Sequence, residues 1–486
     1  MAAQLTTTPF ECRQYQLDLV EAGRNAIRRG YKRVLFQLAT GAGKTICAVQ
    51  IIHGAVAKGK RVVFACHRRE LVEQTSAKLE ALGISHGIVM AKHWRYRPLA
   101  PVQVCSIQTL ITRELAYRPD ILFFDECHHC RSATWQSIIE RYSEAIVIGL
   151  TATPVRSDGK GLGNLFQTMV CGPSVAELTA QGYLVPTRVF APNKPNLRDV
   201  RKVGGDYNQG QIGRIMDKPT LTGDIVEHWQ RLGENRLTVC FAVSVEHSRH
   251  LRDRFVDAGI AAGHLDGETP IDERVQLLQA LASGAIRVLC SVGVLTEGWD
   301  LPGLGCIILA RPTLSEGLFL QMSGRGLRPA PDKTDVVILD HAGCTLQHGF
   351  VDDDREWSLD VDRMSQRERI DTALKVKACP KCFRVWSKRQ RLCECGYVFH
   401  FDDRAPRQVA GNLTDQASQR QDRYSRIPEA HKRDLYMRWA REGAERRYRP
   451  NFAWAKYHAM FKEPPKEEWM LAASLEAREA RLCTLD

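Results

Sequence analysis

Residues 34–45 read VLFQLATGAGKT, and the fold turns on how this stretch is parsed. Val34 to Leu38 form a mostly apolar run, the pattern of a buried strand. It leads into Ala39, Thr40, Gly41, Ala42, Gly43, Lys44 and Thr45, after which Ile46 to Ala57 has helical spacing. Strand, glycine-rich turn and helix in that order make a phosphate-binding context. Glycines admit backbone conformations that a Cβ blocks, so successive N–H groups can converge on one anion. The positive end of the helix dipole adds to the pull. Lys44 is then placed to reach β- and γ-phosphates, and the Thr45 hydroxyl to sit on Mg²⁺. An ordinary glycine turn is the plain alternative, and the chain downstream argues against it. The loop lacks only the first glycine of the usual pattern.

The chain of 486 residues has room for two to four domains, and 44% hydrophobic content suits packed cores. A formal charge of +12 favours a polyanionic partner. Residues 371–486 carry 24 Lys and Arg against 16 acids, so most of the excess lies in that last quarter. No apolar run reaches membrane-spanning length, and Met1 to Pro9 lacks a signal-peptide layout. Of 16 cysteines only four cluster; others, such as Cys240 and Cys290, lie in apolar runs. Buried free thiols in a reducing compartment, the cytoplasm, are the expectation.

Strand-like runs recur at 61–66, 102–107, 121–125 and 145–150, with helical patterns at 69–82 and 133–142. The alternation predicts a parallel sheet covered on both faces, with ligands at the carboxyl ends of its strands. The run ILFFDECHH (121–129) ends in Asp125 and Glu126. Paired carboxylates there suit metal-assisted hydrolysis, Asp125 orienting Mg²⁺ and Glu126 polarising water. A pair of solvated loop acids is the bland reading. Cys127, His128, His129 and Cys130 lack a second pair at ribbon spacing, which argues against zinc there. The next strand ends in Thr151, Ala152, Thr153 and Pro154, whose hydroxyls can sense the acids or merely close the strand. Upstream, Gln16 is a candidate adenine reader, although a helix-surface glutamine is commoner.

ATGAGKT (39–45), DECH (125–128) and TATP (151–154) together resemble the superfamily 2 helicases and translocases of the DExH branch. CHRRELVEQ (66–74), SIQTL (106–110), VLCSVGVLTEGWDLPG (288–303) and QMSGRGLRP (321–329) resemble further motifs of that family, over roughly residues 10–345. With GRGLRPAPDKTDVVILDHAG (324–343), the order is most similar to bacterial RadD-like DNA repair helicases and related phage enzymes. The resemblance implies two RecA-like α/β domains sharing one ATP. It implies nucleic-acid backbone contacts from His67, Arg68, Arg69, Ser106, Gln108, Thr109 and Ser291. His128, Thr151 and Thr153 would carry coupling, and Gly298 and Asp300 would line the sugar side. Gln321 would help hold the attacking water.

A second strand series at 237–243, 286–292, 306–310 and 335–340 has no phosphate loop of its own. Arg325 and Arg328 are therefore candidates to complete the site from across a cleft, as planar permanent cations. A solvated basic face is the plain reading of both.

Cys379-x₂-Cys382-x₁₀-Cys393-x-Cys395 looks like a zinc ribbon whose second pair is one residue short, with His400 as a substitute ligand. A redox pair is the rival. The ribbon's arginines and lysines suggest DNA contact; a structural clip or a protein dock is the other reading.

The expected organisation is an ATP-binding domain at 1–180 and a linker at 181–235. A second RecA-like domain (236–345), an acidic mobile connector (346–375), the ribbon (376–402) and a basic linker with helical tail (403–486) follow. In the tail, Trp454, Tyr457, His458 and Phe461 share a helical face, read as a small core rather than a stacking platform. The expectation is a monomeric ATP-dependent DNA helicase or translocase of a bacterial or phage-infected cell, using ATP, Mg²⁺ and structural Zn²⁺. Single-stranded or branched DNA, with a single-strand-binding or repair protein, is the expected company. A remodeller that does not separate strands, an RNA helicase and a non-catalytic DNA-binding adaptor are the alternatives.

Overall fold

The computed structural model describes residues 12–129, 132–156, 161–192, 195, 197, 199–359, 376–399, 428–445, 451–461 and 463–482. Residues up to 400 form one compact unit and those from 401 a second. In the first unit, seven strands build a wholly parallel sheet in the order β3-β4-β2-β5-β6-β1-β7. They are β1 (Arg33–Gln37), β2 (Val62–Cys66), β3 (His86–Val89), β4 (Val102–Ser106), β5 (Ile121–Asp125), β6 (Ile146–Thr151) and β7 (Thr168–Cys171). The strands are near-continuous apolar runs because both faces are covered. Val34 and Phe36 pack into one buried cluster and Leu35 into the opposite one, the period of two expected of a strand. The short β3 and the edge strand β7 were not expected, having too few apolar residues in a row to stand out.

The second sheet is also parallel, in the order β12-β13-β11-β14-β15-β8. Its strands are β8 (Thr187–Phe190), β11 (Thr238–Phe241), β12 (Ala262–Leu265), β13 (Val288–Ser291), β14 (Cys306–Leu309) and β15 (Val336–Asp340). A two-stranded hairpin, β9 (Lys202–Val203) with β10 (Asp206–Tyr207), is inserted between β8 and β11. This corrects the linker drawn at 181–235. β8 pairs with β15, and the helix Pro219–Leu232 brings Ile225 and Trp229 into the core on one face of the sheet. Proline at the first turn of that helix is a start signal.

The connector is corrected too, as far as it is described. Residues 350–359 form a strap held by its own side chains: Arg355 bonds the carbonyls of His348, Phe350, Val351 and Asp353 and pairs with Glu316 at 2.7 Å. The Gly163 N–H donates to Leu359 O at 3.1 Å, so the strap returns to the first domain. Residues 360–375 lie outside the described residues.

The second unit holds helices Glu429–Glu445, Phe452–Phe461 and Glu467–Leu482. Tyr436, Trp439, Tyr457, Phe461 and Trp469 form its core. The expected stripe splits there: Tyr457 and Phe461 are buried, whereas Trp454 is exposed and stacks on His458. The third helix supplies Trp469 and was not foreseen. No helix among the described residues is long and apolar enough to cross a membrane.

Trp135 ties packing to the site. It is fully buried, its ring 4.0 Å from Phe124, and its indole N–H donates to Cys127 O at 3.1 Å, under the loop that follows β5. Trp135→Ala is expected to destabilise the first domain by about 3–5 kcal/mol, read as a lowered thermal midpoint; Trp135→Phe should retain most of the difference.

Candidate nucleotide site and interdomain cleft

β5, β6 and β1 are neighbours in the first sheet, so their carboxyl ends bring three motifs together. The glycine loop follows β1, Asp125 and Glu126 close β5, and Thr151 closes β6. Gly41 and Gly43 have φ of 86° and 92°, left-handed values that favour glycine. Gly43 also caps the 13-residue helix Lys44–Val56. A Cβ on Gly43 would lie 2.4 Å from Gln16 Nε2.

Gln16 is placed differently from the expectation. Its Nε2 donates to Ala42 O at 3.0 Å, its Oε1 accepts from the Arg13 N–H at 3.0 Å, and Tyr15 Oη donates to the same Ala42 carbonyl. Both ends of the amide are engaged, so Gln16 braces the loop instead of presenting a free edge to adenine.

Lys44 Nζ lies 3.2 Å from Glu126 Oε1. Burial, then the Glu126 charge, push the Asp125 carboxyl up to about 7, against the pull of Lys44. Burial is the largest influence on Glu126 as well and works against it, but Lys44 with His128 and His129 together hold this carboxyl below its usual value. Glu126 has φ of 44°, a strained conformation for a non-glycine residue that aims its carboxylate. Its Oε2 is buried without a hydrogen-bond partner among the described residues. A left-handed glycine cradle, a helix N-terminus and an unpartnered carboxylate oxygen fit a nucleoside triphosphate with Mg²⁺. Thr45 and Asp125 would hold the cation, which supplies charge neutralisation and would reverse the upward shift on Asp125.

The second domain closes on this edge. A Cβ on Gly324 would lie 2.6 Å from Thr40 Cβ, and one on Gly41 would lie 3.4 Å from Arg328 Cγ. Arg328 therefore lies against the phosphate loop, paired with Asp300. Burial lowers its guanidinium to about 10, which leaves it a cation at neutral pH. Arg325 is buried, donates to Trp299 O at 2.8 Å, and faces the charges of Glu297 and Glu126.

Gln321 Nε2 donates to His128 Nε2 at 2.8 Å across the cleft. His128 Nδ1 then donates to Thr151 Oγ1 at 2.8 Å, and that hydroxyl donates to Thr153 O at 2.9 Å. The line runs in one direction only if His128 is neutral, and burial, reinforced by His129, takes it down to about 4. Gln321 is thus tied to His128 rather than aimed at a water beside Glu126.

Other expected residues are also engaged. Gly298 accepts from Gln74 and packs on Leu71, which makes it a closure contact rather than a sugar contact. Arg68 donates to Gly293 O at 2.9 Å, and His67 Nε2 lies 3.2 Å from Glu297 Oε2. Ser291 is wholly buried at the end of β13, so it offers nothing to a strand at the surface. Arg69 is exposed beside Glu73; Ser106 caps the helix Ile107–Thr112 by accepting from the Thr109 N–H; Gln108 Nε2 donates to His67 O at 3.2 Å. Glu297 was missed. It is almost fully buried and meets His67, His128 and His129, although it stands in TEGWD beside the Gly298 and Asp300 that were named.

The Sγ atoms of Cys379, Cys382, Cys393 and Cys395 lie within 4.8 Å of one another, with pairs at 3.4 and 3.6 Å. A tetrahedron of sulfurs about 2.3 Å from zinc has edges of about 3.8 Å, whereas a disulfide needs about 2.05 Å. The four thiols fit zinc, and the one-residue second spacing brings Cys393 and Cys395 in together. His400 lies outside the described residues. The ribbon continues the second sheet: the Ala191 N–H donates to Phe383 O at 3.0 Å, and Phe190 bridges Arg384.

Comparison with known proteins accords with this geometry. The family described as "Type III restriction enzyme, res subunit" matches residues 9–156, and "Helicase conserved C-terminal domain" matches residues 219–330. A 51.5 kDa protein of a Lactococcus phage is 31% identical over 76% of this chain and 79% of its own length. The chain belongs to the superfamily 2 DExH-type helicases and translocases. "Putative ATP-dependent helicase IRC3" of Saccharomyces cerevisiae is 30% identical over 68% of this helicase-family chain, which spans 52% of the yeast protein. A solved structure, "ATP-dependent Type ISP restriction-modification enzyme LlaBIII bound to DNA", superposes with a TM-score of 0.53 at 16% identity. It covers 75% of this chain and 30% of that one, and shares the fold. This DExH protein is an ATP-hydrolysing, nucleic-acid-dependent enzyme.

Two outcomes are expected. Gln321→Ala should keep nucleotide affinity but lose most of the stimulation of hydrolysis by nucleic acid, measured as ATPase rate with and without polynucleotide. Metal analysis should find one zinc per chain, absent from a Cys382→Ser/Cys393→Ser variant.

Proposed function

We propose that this chain is a DNA-directed motor in which hydrolysis in the cleft between two RecA-like domains drives movement along DNA. The observation that carries the reading is Arg328 lying against the Gly41 turn while Gln321 reaches His128. One motif, on a helix and its exit, thus meets two motifs of the other domain beside the phosphate loop. Lys44 and the loop N–H groups bind phosphate; Glu126 accepts a proton from water; Arg325 and Arg328 meet charge developing on the transferring group. Cleft closure depends on contacts from both sheets converging on one ligand, and release lets the cleft open.

A path for DNA runs along the carboxyl ends of β2 and β4, where Arg69, Gln108 and Thr109 stand. His67 and Arg68 belong to the closed interface and would reach DNA only after the domains shift, while Ser291 is buried at the end of β13. The order of the motifs, with the phage source of one relative, favours a role in DNA repair, recombination or phage DNA metabolism. The ribbon would hold zinc as a clip on the second domain, with its basic side chains turned to DNA.

Lys44→Ala and Glu126→Gln should abolish polynucleotide-stimulated ATP hydrolysis in folded protein. Arg328→Ala should still bind ATP but hydrolyse it about 10³-fold more slowly or worse. Stimulation by single-stranded, duplex and forked DNA but not RNA is expected across an ATPase panel. Full turnover by Lys44→Ala would overturn the reading, and preference for RNA would redirect it.

A further inference from the structure

The loop between β3 and β4 presents apolar rings to solvent from a rigid frame. Trp94 is 77% exposed, Leu99 80% and Tyr96 48%. The frame is fixed by its own hydrogen bonds: the Ile88 N–H donates to Arg95 O at 2.9 Å, Gln103 Nε2 to Arg97 O at 2.7 Å, and Tyr117 Oη to Ala100 O at 2.8 Å. Gly87 packs under it so closely that a Cβ would lie 2.5 Å from Arg97 O. A mobile tip could scatter its aromatics by chance. A braced loop holds them outward at a standing hydrophobic cost.

The surroundings indicate what the rings meet. The Arg95 guanidinium lies 4.8 Å from the Trp94 ring centre, and Arg113 lies 5.5 Å from that of Tyr96. Lys92 and Arg97 are exposed on the same loop. The nearby acids are Glu80, paired with Arg95 at 2.8 Å, and Glu73, paired with His93 at 3.2 Å. Aromatic faces interleaved with cations suit a polyanion whose bases have free faces. The loop is also joined to the DNA path: the Ala91 N–H donates to Thr109 Oγ1, and Arg113 donates to Ala91 O, each at 3.3 Å.

We propose that residues 90–100 form a base-stacking site for single-stranded DNA, with Trp94 as the stacking ring and Lys92 and Arg97 meeting the adjoining phosphates. The site extends the backbone grip beside Thr109 and rests on the DNA-directed reading given above. It would hold an unpaired base where the chain meets the strand, without reading its identity.

The test is equilibrium binding of the full chain to a fluorescent 20-residue oligo-dT with a non-hydrolysable ATP analogue, over a salt series. Trp94→Ala should weaken binding roughly 5- to 100-fold with the slope of log affinity against log salt unchanged. Trp94→Phe should recover most of the loss. Lys92→Gln should lower the slope by about 0.7. Trp94→Ala binding like the parent would overturn the stacking site and leave the DNA-directed reading intact. A parent that binds no oligonucleotide under these conditions would overturn both. Unchanged DNA affinity with altered sedimentation would make the loop a protein contact, which also overturns the proposal. Since Trp94 is largely exposed, unchanged thermal midpoints should confirm that each variant is folded.

Discussion

One line of hydrogen bonds holds the two halves of the cleft to a common state: Gln321 to His128, His128 to Thr151, Thr151 to Thr153. It demands a neutral imidazole with its proton on Nδ1, and complete burial supplies that by penalising the charged ring. Each member stands next to something that changes in turnover. His128 lies 3.5 Å from Glu126 Oε2, Thr151 ends the strand beside the glycine loop, and Gln321 is on the helix that leads to Arg325 and Arg328. His128 alone thus stands between Glu126 and Gln321 of the other domain.

Much of this was legible in the chain because the residues that do chemistry sit at the ends of strands with strong patterns. VLFQL, ILFFD and AIVIGL announce buried parallel strands, and in such sheets the loop after each strand faces the ligand edge. The strand patterns and that rule alone bring the three motifs to one edge of the sheet. β3, β7, β8 and β12 were lost because they are four residues long and carry His, Gly, Thr or Arg among their apolar residues. Their apolar positions are set by neighbours distant in sequence, and pairing with β4, β1, β15 and β13 defines them.

Site residues were less legible wherever a polar side chain had two uses. Gln16 and Arg68 are of the right type, yet each donates to the protein's own backbone in this closed arrangement. Composition cannot distinguish a donor kept for a ligand from one already satisfied internally, since burial and partner geometry decide that. Glu297 escaped for the reverse reason. A glutamate after a strand reads as solvated, and only the three histidines converging from the other domain reveal that it is buried. The strap at 350–359 escaped because its acids read as a solvated run, whereas Asp353 accepts the Phe350 N–H and Arg355 satisfies four carbonyls.

The chemistry of the interface bears on how a closed cleft can also be a reversible one. The cross-cleft contacts include a polar set, Gln321 with His128, Arg68 with Gly293, Arg274 with Glu70 and Glu297 with its histidines, beside apolar ones, Leu71 on Gly298 and Leu184 on Gly41, that belong to a hydrophobic cluster spanning both domains. Apolar contact favours closure whatever the ligand state, whereas a polar contact exchanges one set of hydrogen bonds for water at small net cost. Buried charges such as Glu297 and Arg325 gain back hydration on opening, which offsets the loss of their partners. A ligand bound by both domains shifts the balance between open and closed by its differential affinity for the two states. The strap adds the constraint that makes the movement useful. By tying Leu359 to Gly163 and Arg355 to Glu316, it keeps the second domain tethered near the first, so that the polar contacts re-form in the same register.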